Sequence, residues 1–402
     1  MTVSIRCNVL HGRLLAAFLI GWSAVATGQL SGQFYLEKST FARAEPVVLY
    51  FEVRNDGTKA ENLPSADPYS FCSGYRISVS SDPDITSSCG PSGVAGSCLS
   101  SSAVLLPDER HVERLLLNFD HKIDAPGDYS VEAERHLSYA LAGADYFSPN
   151  TPKDILEVHT TLHFRVDASA SLDPKSLHIF VAQLKSEDSD KRRDAARTLA
   201  SVAPQFLEDV LLTFADNPEF RQFAPLAFHR LDTKRSMKAL ADLLTKTQVG
   251  SYEHIESANY LAKSGDVQWF PLLRDEAQKN PQISNYVDDA AELGGDRMLP
   301  TLLALTHSPD REFTRINAVT GMGYTGTRAA VPILLEFLRS SDPDVGDRAR
   351  FALRLLTHRT KSDDQSDDPR SEYPTWSQWW AREGDTAPIY KPSECGNFTP
   401  LP

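Results

Sequence analysis

INAVTGMGYTGTRAAVPILLEFL, residues 316–338, contains G-x-G-x-x-G at 321–326. Those glycines cradle the phosphates of a dinucleotide when a buried strand precedes them, a helix follows, and an acidic residue lies about 20 positions on. The preceding segment is REFTRINAVT, with Phe313, Ile316, Val319 and Met322 at a step of three. That step belongs to an amphipathic helix, not to a buried strand. Asp342 has the required offset but lies in SSDPD, which reads as a loop. The stretch is therefore read as helix, glycine corner, helix.

The same corner recurs upstream as SGDVQWFP at 264–271 and LGGDRMLP at 293–300, and Pro271, Pro300 and Pro332 are 29 and 32 residues apart. Ala196, Ala227, Ala258, Ala290, Ala318 and Ala349 recur at intervals of 31, 31, 32, 28 and 31. A period near 31 with two helices per unit predicts an α-solenoid in which the alanines let paired helices approach closely. Ala349, Ala352, Leu353 and Leu356 form one apolar stripe at i, i+3, i+4 and i+7. Asp173-Pro174, Asn217-Pro218, Asn280-Pro281, Ser308-Pro309 and Asp342-Pro343 each read as a capping side chain before a proline at the first helical position.

KRRDAARTLASVAP, VDDAAELGGDRMLPTLLAL, INAVTGMGYTGTRAAVPILLEFL and DRARFALRLL together resemble HEAT repeats, in particular the bacterial group related to phycobilisome-lyase repeats. The resemblance covers about 180 residues and implies an all-α solenoid over 173–360, with five or six repeats. It departs from the pattern at 221–250, which lacks the second-helix proline, and after Gly323, where the usual acid is missing. It brings no lyase activity with it, because none of the chromophore chemistry is visible in these residues.

Beyond the repeats, KSDDQSDDPRSE (361–372) reads as a solvated acidic linker, since calcium-loop spacing is absent. Trp376, Trp379 and Trp380 follow at i, i+3 and i+4 on a short helix that stops at Gly384. Residues 373–402 are read as a Trp-rich cap and tail burying the last apolar face. A carbohydrate- or peptide-binding aromatic platform is the sharper alternative. A similar tail ends many exported bacterial HEAT-repeat proteins that the chain resembles.

Residues 29–168 carry strand patterns. PVVLYFEVRNDG alternates around Val47–Val53 and stops at a turn-forming Asn-Asp-Gly; HVERLLLNF and GDYSVEAE are further short runs. LEVHTTLHFRV puts Val158, Thr160, Leu162, Phe164 and Val166 on one face. Short strands at this rhythm predict a β-sandwich. DAPGDYSV (124–131) resembles the tyrosine corner of immunoglobulin-like modules, which implies a hydrogen bond from Tyr129 to the backbone upstream. His159 and His163 would chelate a metal on a helix. On a strand they stand about 13 Å apart and read as solvent-facing. The Ser- and Gly-rich segment 78–102 reads as a long loop.

Residues 1–28 read as a secretory signal peptide, with Arg6 and Arg13 before LLAAFLIGW and small residues at Ala24-Val25-Ala26. The apolar run is too short to span a bilayer, and no later stretch is long and apolar enough to do so. The expected location is periplasmic or extracellular. Four cysteines follow the signal, Cys72, Cys89, Cys98 and Cys395, and are candidates for two disulfides in any of three pairings. Cys89 with Cys98 would close a flexible loop and leave Cys72 with Cys395.

The net charge of −13, nearer −15 once Arg6 and Arg13 are removed, opposes nucleic-acid and anionic-membrane binding. Signatures G-x-S-x-G, H-E-x-x-H and the P-loop are absent. Carboxylates are abundant, and helix starts and loops account for most of them. The sequence thus leads to no catalytic, cofactor or metal residue and to no cofactor. It predicts a two-domain β + α chain that is not an enzyme, an exported scaffold for an unidentified protein partner, of open oligomeric state. Protease inhibition through the sandwich loops and an unrecognised envelope hydrolase are the alternatives.

Overall fold

The computed structural model describes residues 30–65, 73–81, 101–170, 172–308, 312–359, 368–392 and 398–401. The N-terminal part is built of strands: β1 (Leu30–Leu36), β2 (Thr40–Ala42), β3 (Val48–Asn55), β4 (Glu61–Ser65), β5 (Tyr75–Ser80), β6 (Ser101–Leu105), β7 (Arg110–Leu116), β8 (Gly127–Leu141) and β9 (Asp154–Asp167). One sheet has the order β1-β3-β7; the other runs β2-β9-β8-β4-β6, with β5 also paired to β8. The β8–β9 hairpin is antiparallel over its length, whereas β2 joins β9 in parallel.

Alternation sets which side chains meet. Leu49, Phe51 and Val53 of β3 point inward, as do Val131, Ala133 and Leu137 of β8 and Val158, Phe164 and Val166 of β9. Both sheets contribute to one apolar core. His159 and His163 lie on the exposed face of β9, opposite Glu134 and Ser130. The Tyr129 hydroxyl donates to the Ala125 carbonyl at 2.8 Å, and its ring stacks on Phe164.

HVERLLLNF is not a strand throughout. Its end turns into the short helix α1 (Leu117–Asp120). The Asn118 side chain accepts from the Val47 amide at 2.6 Å, and Phe119 packs against the helical core. Tertiary contacts here override a local β pattern.

Helices follow: α2 (Pro174–Gln183), α3 (Ser189–Val202), α4 (Glu208–Leu212), α5 (Ala224–Leu231), α6 (Lys234–Lys246), α7 (Tyr252–Lys263), α8 (Phe270–Lys279), α9 (Ser284–Gly294), α10 (Leu299–Thr306), α11 (Glu312–Tyr324), α12 (Ala330–Leu338), α13 (Pro343–Thr357) and α14 (Tyr373–Glu383). The strands β10 (Ile389–Pro392) and β11 (Phe398–Leu401) pair antiparallel at the end. Helices α3, α5, α7, α9, α11 and α13 form a row in which each touches the next, and α6, α8, α10 and α12 pack alongside. The six recurrent alanines all sit on this row and are fully buried.

The glycines of GMGYTG have separate jobs. Gly321 and Gly323 lie inside α11. A Cβ at Gly321 would meet Val287 Cγ1 at 2.8 Å, and one at Gly323 would meet Ala352 Cα at 2.8 Å. They permit close helix contact with α9 and α13. Only Gly326, at φ +61°, makes the corner, as Gly265 and Gly295 do at φ +68° and +56°. Ala203, Asp232 and His358 also have positive φ, in the left-handed helical conformation, at the ends of α3, α5 and α13, whereas Gly295 combines its positive φ with ψ −132°. Of the proposed capping pairs, Asp173 and Asp342 accept helix N–H groups before Pro174 and Pro343. Asn280 instead closes α8.

The C-terminal stretch is packed onto this row. Trp376 and Trp379 are buried in the helical core, with Trp380 packed beside them. The Trp376 indole donates to Glu372 at 3.2 Å, and that of Trp379 donates to Glu383 at 2.8 Å. Arg328 donates to the Gly384 and Ala387 carbonyls, clasping the end of α14. The end of the acidic segment departs from the solvated linker expected for 361–372. Pro369 packs on Gly346, and Glu372 is fully buried against Arg350 at 3.2 Å. Local acidity gave way to a specific ion pair. Residues 361–367 of that segment lie outside the described residues, as do Thr360, Cys72, Cys89, Cys98 and Cys395 and residues 1–29.

Candidate functional site

Charged side chains run along the helix row. At its N-terminal end the strand region supplies the partners. Arg114 of β7 pairs with Asp194 of α3. Phe119 lies 5.6 Å under the Arg197 guanidinium, and Arg230 reaches the Asn118 carbonyl at 3.5 Å. Burial pushes the Asp120 carboxyl up to about 6, against the pull of Arg197 and Arg230. Burial pushes the neighbouring His121 down to about 4, and Arg230 adds to that.

Farther along, Glu256 of α7 meets Asp288, Asp289 and Glu292 of α9, a group of four carboxylates. Desolvation is the first cause raising Glu256, Asp288 and Asp289, and mutual repulsion adds to it at Asp288 and Asp289. Lys263 attracts Glu256 and Asp289, and Arg348 of α13 attracts Asp288. Tyr324 of α11 completes the surroundings. Burial, then Asp288, Glu292 and Asp289, push its hydroxyl up to about 12.

Asp289 is 8% exposed. No hydrogen bond reaches its Oδ2, nor Asp288 Oδ1, nor Asn259 Oδ1 on α7, although all three atoms are buried. Buried acceptors are ordinarily satisfied, because each unmade bond costs about 1–3 kcal/mol. Three such acceptors on two adjacent helices define the candidate site. Among the described residues, no three His, Cys, Asp or Glu are grouped as metal ligands.

A second buried network lies beside it. The Tyr286 hydroxyl accepts from the Gly250 amide at 3.0 Å and bonds His254 Nδ1 at 2.7 Å, while His254 Nε2 faces Glu276 at 3.8 Å. His254 and Tyr286 are 2% and 1% exposed, so this chain of groups ties α7, α8 and α9 together and is closed to substrate.

Sequence reasoning missed Asp120, Asp288 and Asp289. It quoted VDDAAELGG for its alanines and assigned carboxylates to helix starts and loops. Helical period was the available signal. Asp289 stands three residues after Tyr286 and four before Leu293, both buried, so it falls on the inward stripe. Asp120 carried no such signal, because its burial depends on helices that follow much later in the chain.

No family model matches the sequence, and no curated protein matches it. Among solved structures, the complex of CpcE and CpcF of phycocyanin lyase from Nostoc sp. PCC7120 matches at 18% identity with a TM-score of 0.26, over 51% of this chain and 83% of that chain. That protein is a lyase. The expectation that this chain is not an enzyme is therefore corrected and withdrawn.

Proposed function

We propose that residues 173–360 form a HEAT-type solenoid that binds a protein partner along the face of α7, α9 and α11. In this reading residues 29–168 are an immunoglobulin-like sandwich fixed over the solenoid's N-terminal end, and residues 373–402 are its C-terminal cap. The recurrent buried alanines and the positive-φ helix exits at like positions support the repeat assignment. The observation that carries the binding reading is the set of unmet acceptors on Asn259, Asp288 and Asp289. Natural chains keep such groups mainly where something else meets them.

Export, with residues 1–28 as a cleaved signal, belongs to the same proposal, as do disulfides among Cys72, Cys89, Cys98 and Cys395. Thiol titration finding four free cysteines would remove the disulfides. The binding face is tested by affinity capture with the full chain, against a chain carrying Asp288→Lys and Asp289→Lys. The expected result is a protein retained by the first and lost by the second. An identical set retained by both would overturn the assignment of the face.

A further inference from the structure

We infer that the partner enters the Asp288–Asp289 face with an arginine side chain, carried on an exposed or extended segment. This rests on the reading of that face as the binding face. The unmet groups there are all acceptors: Asn259 Oδ1, Asp288 Oδ1 and Asp289 Oδ2. A ligand that satisfies them must donate several hydrogen bonds and needs no acceptor in return. A guanidinium has five N–H donors in a planar fork and no acceptor.

The molecule already contains one such contact. Asp194, two residues before the recurrent Ala196 on α3, corresponds to Asp288, two residues before the recurrent Ala290 on α9. At the first position the carboxylate is met by Arg114, which the extended strand β7 brings in from outside the row. At the second position no hydrogen bond reaches Asp288 Oδ1, and none reaches Oδ2 of the adjoining Asp289. Arg348 acts on Asp288 through space, as Lys263 does on Asp289. The face thus holds four carboxylates against two cations, with the Tyr324 hydroxyl beside them. Asp288 is half-buried and is the member of the pair that solvent reaches. An ammonium would supply charge but not the bidentate fork, so the site favours arginine over lysine.

The test is fluorescence anisotropy of the full chain with three dye-labelled peptides of equal length: hexa-arginine, hexa-lysine and hexa-glutamate. Hexa-arginine is expected to bind, hexa-lysine to bind more weakly by about tenfold, and hexa-glutamate not at all. Asp288→Asn with Asp289→Asn is expected to weaken hexa-arginine binding by about tenfold or more. Asp275→Asn, on the exposed side of α8, is expected to leave it unchanged. The amides match the carboxyls in shape and are neutral, as burial favours at both positions, so the double variant is expected to keep or raise its melting temperature. Loss of binding then reports on the site.

Equal binding of hexa-arginine and hexa-lysine, or unchanged binding by the double variant, would overturn the inference. If no peptide binds while capture of a partner still depends on Asp288 and Asp289, the face stands and arginine falls. If capture is indifferent to them, the face itself falls.

Discussion

Asp120→Asn should make the stability of this chain depend on pH in a way the native sequence conceals. The Asp120 carboxyl is raised from 3.8 to about 6 by burial at the junction of α1 with α3 and α5. A raised acid keeps its proton longer in the folded state than in the unfolded one. Its contribution to stability is therefore fully present below about pH 4 and lost as pH rises through about 6. At about 1.36 kcal/mol per unit, the loss comes to ~3 kcal/mol. His121 acts in the opposite sense. Burial lowers it from 6.5 to about 4, so its contribution is present above pH 6.5 and lost as pH falls toward 4. In the native chain the two slopes nearly cancel. The amide that replaces the Asp120 carboxyl cannot titrate, so the variant retains only the His121 slope. Urea unfolding of both chains at pH 4, 5, 6 and 7 measures the difference. The variant's stability relative to the native chain should rise by ~3 kcal/mol between pH 4 and pH 7. A difference that stays constant across that range would refute the burial of Asp120 at this junction.

Three other changes probe the packing. Gly323→Leu drives a side chain into Ala352, whose Cα already lies 2.8 Å from an added Cβ, and should destabilise by about 1–3 kcal/mol in chemical denaturation. Trp379→Ala empties a site that is 5% exposed in the helical core. It should cost about 3–5 kcal/mol, with hydrogen exchange quickening first in α12, α13 and α14. Tyr129→Phe removes the 2.8 Å bond to the Ala125 carbonyl, leaves the stacking on Phe164, and should lower stability by about 1 kcal/mol.

Much of the helical architecture was legible because close packing leaves a periodic trace. Ala196, Ala227, Ala258, Ala290, Ala318 and Ala349 are small where helices of the row touch, and all six are fully buried. The corners were only half legible. Gly265, Gly295 and Gly326 announced an exit at positive φ, but Ala203, Asp232 and His358 adopt one with side chains that carry little such signal. Gly321 and Gly323 misled in the other direction, because a glycine chosen for helix contact looks in sequence like one chosen for a turn. The burial of Trp376 and Trp379 was legible in their helical spacing. Glu372 did not, since its burial rests on Arg350, more than twenty residues away. The site was hidden for a related reason. Acidity reads as solvation in sequence, and only the packing of α7, α9 and α11 shows that Asp288 and Asp289 lack the donors a buried carboxylate needs.

The acidic face is tested most directly by calorimetry of hexa-arginine binding to the full chain at pH 6, in two buffers of different ionisation enthalpy. Desolvation raises both the Asp288 and the Asp289 carboxyl well above the ordinary carboxylate range; Glu292 adds to this at Asp288, and Asp288, Glu292 and Glu256 add to it at Asp289, against the pull of Arg348 and Lys263. An arriving guanidinium favours the ionised pair, so binding should release protons and the observed heats should differ between buffers. Binding with the same heat in both buffers would contradict the account.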